Sequence, residues 1–140
     1  MTTVYKRNRK ETATQYVVTA QDLQVAVIKY MMSEKYVPKK WRYMLAHGAM
    51  KTVSDILDNV IGSYRTFPNT EERLNTRRQY IEKAIIGCYQ LQNRLLCMVR
   101  TIDTVNANNL GNITELLLGE IELLSKTLKN THLVGQHEQV

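Results

Sequence analysis

The 140-residue sequence predicts an all-α protein, an up-down-up-down antiparallel four-helix bundle, and three observations carry that prediction. Four stretches place apolar residues at the three- and four-residue spacing of one helix face. Short segments rich in Pro, Gly, Asn and Thr separate them, and short connections favour antiparallel neighbours. No stretch alternates polar and apolar residues for the length of a strand, and no internal repeat is visible. With 44% hydrophobic and 23% charged residues, the chain suits one domain with a modest core.

Residues 1–18 carry Lys6, Arg7, Arg9 and Lys10 without a sustained helical period and read as a flexible basic N-terminal arm. The bundle is expected over residues 19–129. Its first helix is predicted to start at Thr19, with Asp22 completing a capping box, and to run to about Lys35 with Leu23, Val27, Tyr30 and Met31 inward. Pro38 suits the first position of a second helix, where its missing N–H costs nothing. Trp41, Leu45, Gly48, Val53, Ile56, Val60 and Tyr64 then form a stripe that ends near Arg65.

Phe67-Pro68-Asn69-Thr70 breaks the pattern, with Asn69 or Thr70 available as a cap and Glu71 and Glu72 placed at the positive end of the next helix dipole. In the third helix Leu74, Ile81, Ile85, Cys88, Leu91, Leu95, Met98 and Ile102 share one face over roughly 45 Å. Ile86, Leu96 and Val99 widen its apolar arc beyond what one bundle seam needs, a surplus that points to burial against another subunit. After a loop at Asn106 to Gly111, Asn112 and Glu115 are expected to cap a fourth helix with Ile113, Leu116, Leu117, Ile121, Leu124 and Leu128 inward. Residues 130–140 read as a frayed polar tail.

Charge is unevenly distributed. Residues 1–100 hold 17 Lys and Arg against 8 Asp and Glu, a charge of +9, whereas residues 101–140 hold 2 against 5, a charge of −3. A basic body of this kind suits a polyanion or an acidic protein partner. Cys88 and Cys97 are nine residues apart, separated by about 13 Å of helical rise, so they cannot bridge each other and are expected to be packed, reduced thiols. No leader-like opening and no apolar run of about 18 residues occurs, and the expectation is a soluble, cytoplasmic protein.

A search for catalytic chemistry returns little. His47 lies within the second helix and His132 and His137 in the tail, so no His/Cys or His/Glu pair has helical metal-ligand spacing. Neither cysteine has a histidine near it in sequence, and no glycine-rich phosphate loop exists. The expectation is a protein without enzymatic activity, metal or cofactor. The basic residues are the informative ones. At 100° per residue, Lys83, Gln90 and Arg94 fall on one side of the third helix beside Gly87. Arg73 and Arg77 lie nearer its apolar phase, and Arg78 points elsewhere. With Lys39, Lys40, Arg42 and Lys51 of the second helix, they make a candidate phosphate-binding surface, where Tyr43, Tyr80 and Tyr89 are available to stack on unpaired bases.

Val37-Pro38-Lys39-Lys40-Trp41-Arg42, the helix end Tyr64-Arg65-Thr66-Phe67-Pro68, then Arg77-Arg78-Gln79-Tyr80, Ala84-Ile85-Ile86-Gly87-Cys88 and Leu91 resemble the accessory variability determinant proteins of diversity-generating retroelements. These belong with small bacterial four-helix-bundle proteins that include the products of ribosomal RNA intervening sequences. The likeness spans residues 19–129. It implies a barrel-like homopentamer that binds the retroelement's reverse transcriptase and its template RNA or DNA, supports mutagenic copying, and needs no cofactor. The family's functional basic side chains would correspond to Arg73, Arg77, Arg78, Lys83 and Arg94. The alternative is a protein-interaction scaffold of the intervening-sequence type with no nucleic-acid role.

Overall fold

The structure, a computed structural model, describes residues 13–135, and the described residues form four helices. Helix α1 is Gln15–Met31. Helix α2 is continuous from Lys39–Trp41 through a π-helical segment, Arg42–Ala46, into His47–Arg65. Helix α3 is Glu71–Thr101 and α4 is Gly111–Asn130. Each packs on its neighbours in chain order, and α4 returns onto α1, so the four surround one core. Among the described residues no helix is long and apolar enough to cross a membrane.

The contacts of α1 with α2, and of α2 with α3, run in opposite chain order. Tyr16 and Gln24 of α1 hydrogen-bond Ser63 and Ser54 of α2. Gly48, Ile56 and Gly62 of α2 meet Arg94, Gly87 and Tyr80 of α3. The α2–α3 seam is close because these glycines make room: a Cβ on Gly48, Gly62 or Gly87 would lie 2.6 Å from Arg94 Nη1, 2.7 Å from Tyr80 Cε1 or 2.8 Å from Ile56 Cγ1. Burying residues such as Leu23, Ile81, Leu91 and Leu124 contributes about 1.5–3 kcal/mol each.

Several boundaries differ from the sequence expectation. Helix α1 begins at Gln15, four residues before Thr19, because Tyr16 and Val17 continue the buried face of Ala20 and Leu23. Thr19 therefore caps nothing and its hydroxyl accepts from Gln15 Nε2 at 3.2 Å. Residues 15–18 are thus helical, whereas residues 1–12 of the expected arm lie outside the described residues. Helix α1 stops at Met31, and Ser33 to Val37 form turns in place of the expected extension to Lys35.

Pro38 is the residue before α2, and the π segment shifts the helix phase. Trp41 and Leu45 stay half-buried, Ala46, Ala49, Val53, Ile56 and Val60 fill the core, and Ser63 takes the inward place expected for Tyr64, which is exposed. On α3 the Thr70 hydroxyl accepts from the Arg73 amide as expected, with Glu71 and Glu72 in the first turn. Ile85 is only half-buried, and Ala84 and Gly87 pack in its stead.

The fourth helix begins after Leu110, with no side-chain cap, so the Asn112–Glu115 box does not form. Asn106 and Asn109 instead accept each other's backbone N–H, at 3.0 and 3.1 Å, and hold the loop before it. Beyond α4 the Val134 N–H donates to the Pro68 carbonyl at 2.9 Å and Thr131 is buried, so residues 131–134 are anchored where fraying was expected. Residues 136–140 lie outside the described residues.

Candidate functional site

The candidate basic side chains fall at the two ends of the bundle and along the α2–α3 seam between them. At one end, where α2 leaves through Phe67 and α4 finishes, three guanidiniums bind main chain. Arg73 Nε donates to the Phe67 carbonyl at 2.8 Å, Arg77 Nη1 to Thr66 at 3.4 Å and Arg78 Nη2 to Thr131 at 3.1 Å. These carbonyls lie beyond helix termini, where no intrahelical N–H reaches them. The three arginines thus tie the α2–α3 turn and the end of α4 to α3. Arg77 also lines a cavity of about 380 Å3 with Tyr16, Phe67, Leu123, Lys126 and His132.

Lys39, Lys40, Arg42 and Arg94 gather toward the opposite end. Lys39 pairs with Glu34 at 3.4 Å on the surface, and Lys40 Nζ sits 5.4 Å from the centre of the Trp41 ring. Arg42 is half-buried, with its Nε inside and without a hydrogen-bond partner. Arg94 lies against Gly48. Between the two ends, Lys51 pairs with Asp55 at 3.1 Å. Lys83 lines a recess of about 330 Å3 in the α2–α3 seam with Asp55, Asp58, Asn59, Gly87 and Gln90. Of the expected grouping beside Gly87, Lys83 and Gln90 line this recess against α2, whereas Arg94 lies against Gly48.

The tyrosines separate in the same way. Tyr80 packs across Gly62 in the seam. Tyr89 and Tyr43 are exposed, and the Tyr43 ring stacks on His47 with centroids 6.4 Å apart and planes 15° from parallel. At the same end Tyr30 and Tyr36 stack at 4.7 Å, and the Tyr30 hydroxyl donates to Asn109 at 2.6 Å. Burial, helped by Tyr36, pushes that phenol up to about 12, so it stays a donor.

Glu120 was not anticipated. It is 0% exposed, and neither carboxyl oxygen has a hydrogen-bond partner. Desolvation pushes its carboxyl from 4.5 up to about 9, so at neutral pH it is a protonated acid. Its position three residues after Leu117 and four before Leu124 placed it in the apolar register, a signal the sequence did contain. Burial, with Glu120 nearby, pushes the Cys88 thiol up to about 12, which makes it a packing group. Cys97, expected to be packed, is exposed on α3, and its Sγ lies 3.9 Å from Thr101 Oγ1.

Among the described residues no group of three His, Cys, Asp or Glu side chains could hold a metal ion. Comparison with family models, with curated proteins and with solved structures finds no match.

Proposed function

We propose that the chain is a non-enzymatic accessory protein of a diversity-generating retroelement, an up-down-up-down bundle that binds the reverse transcriptase and its RNA or DNA through a basic surface. The observation that carries this reading is the set of cations on α2 and α3: Lys39, Lys40, Lys51, Lys83 and Arg94, none of them donating to a main-chain carbonyl in the way Arg73, Arg77 and Arg78 do. The surface pairs of Lys39 and Lys51 are weak and exchangeable for phosphate. The sequence resemblance supplies the partner and supports the absence of a cofactor.

Apolar stripes support an oligomer, which the resemblance makes a pentamer. Val18, Val25, Ile28 and Met32 are exposed along α1, and Ile86, Tyr89 and Leu96 along α3. Because α1 and α3 are not neighbours in the bundle, a stripe of one copy can meet the other stripe of the next, a head-to-tail contact that closes into a ring.

The test is a titration of single-stranded RNA against salt. Five phosphate contacts give a slope of log affinity against log salt of about −3.5. Binding insensitive to salt overturns the phosphate reading, and a stable monomer in light scattering overturns the ring. A second reading, a protein-only scaffold, draws on the same stripes together with the three arginines already bound to carbonyls. Capture of the reverse transcriptase without any nucleic-acid affinity favours it.

A further inference from the structure

The π segment marks a second kind of feature on the basic surface. A π turn inserts one residue into an α-helix and is rarely retained without a use. Here the insertion lets Ala46 and Ala49 reach the core and pushes the next-door side chains outward. Tyr43 and Met44 are 83% and 72% exposed, more than any other large hydrophobic among the described residues. A tyrosine left this bare contributes nothing to packing.

We infer that Tyr43, stacked on His47 and flanked along α2 by Lys40 one turn before it and Lys51 one turn after His47, is a platform for an unpaired base of a single-stranded nucleic acid. Lys40, Tyr43, His47 and Lys51 follow one another at three- and four-residue steps on α2, and all four are exposed. The ring contact between Tyr43 and His47 establishes that the middle two share a face. From α3 the Arg94 guanidinium rests on Gly48, the residue after His47. Two parallel rings offer one outer π-face to a base, and the cations on either side meet the phosphates that follow it. In a duplex every base face is already covered, so the platform selects single strands.

This inference rests on the nucleic-acid reading above, and the experiment separates the two. Anisotropy of a labelled oligouridylate and of a labelled duplex of equal length is measured with wild type, Tyr43→Ala, Tyr43→Phe and a Lys40→Glu/Lys51→Glu double variant. Tyr43→Ala is expected to weaken oligouridylate binding about tenfold and to leave duplex binding unchanged, whereas Tyr43→Phe retains both. The double variant loses affinity for both ligands. Unchanged oligouridylate binding by Tyr43→Ala, with loss in the double variant, overturns the platform and leaves the phosphate surface standing. Failure of wild type to bind either ligand removes both. If Tyr43→Ala impairs only capture of the reverse transcriptase, the ring is a protein contact and the inference falls.

Discussion

The two ends of the bundle use the same residue types to opposite purposes. At the Phe67 end, Arg73, Arg77 and Arg78 turn back onto carbonyls of Phe67, Thr66 and Thr131, and Tyr80 lies in the notch left by Gly62. At the Pro38 end, Lys39 and Lys40 stay on the surface, and Tyr43 stands free of the core. A count of cations per segment treats these ends as equal. What distinguishes them is that the arginines of the first reach carbonyls that follow the ends of α2 and α4.

The largest expected effect acts on the frame both ends share. The Glu120 carboxyl keeps its proton in the fold and loses it on unfolding between pH 4.5 and about 9. The unfolded state then binds fewer protons, so stability is full below that window and falls as pH rises through it, by about 1.4 kcal/mol per pH unit. Denaturant titrations at pH 5 and pH 8 are expected to show this fall in wild type and not in Glu120→Gln. Equal stability at the two pH values in wild type would mean that the carboxyl finds a partner.

Two glycines test the ends against each other. Alanine at Gly62 drives a Cβ into the Tyr80 ring, and the ring, fixed at the seam, gives way at a cost of about 1–3 kcal/mol. Alanine at Gly48 meets only the far end of Arg94, which swings aside, and the better helix propensity of alanine offsets the rest. Thermal melts are expected to fall for Gly62→Ala and to stay near wild type for Gly48→Ala. The reverse order would mean that the Pro38 end is the rigid one.

Arg77→Ala is expected to cost about 1 kcal/mol in denaturant titration, because it removes the Thr66 contact. Lys39→Ala, which breaks only a surface pair, is expected to cost less than about 0.5 kcal/mol. The smallest effect is that of Tyr43→Ala, whose stability should stay within about 0.5 kcal/mol of wild type because its ring is outside the core. A clear loss of stability in that variant would assign Tyr43 to the fold.

Much of the fold was legible in the sequence, and its failures have physical causes. The 3.6-residue stripes located the four helices, and of the two caps that the sequence offered for α3, Asn69 and Thr70, the structure uses Thr70. Helix starts without a side-chain cap were misplaced, since Thr19 and Asn112 resemble caps locally while packing extends α1 and α4 past them. The five-residue step from Gly48 to Val53 in the expected stripe hinted at an irregular helix, but periodicity alone does not place the extra residue of a π turn. For the candidate site, sequence spacing put Lys83 and Gln90 together beside Gly87, as the recess between α2 and α3 has them, while Arg94 lies apart from that recess against Gly48. For Arg73 and Arg77 a bundle end was one of the expected targets, but the carbonyls that they and Arg78 meet could not be named, because those partners lie after the ends of other helices.

The contrast between the two cysteines has a practical side. Cys88 is sealed in the core with its thiol held protonated, while Cys97 stands exposed one residue from Leu96 on the outer stripe of α3. Among the described residues the chain thus carries a single native attachment point for a maleimide dye. It needs no engineered cysteine and lies beside the stripe that the proposed oligomer would cover. Protection of that thiol from labelling as the protein is concentrated would give a direct footprint of the proposed assembly, and unchanged labelling would count against it.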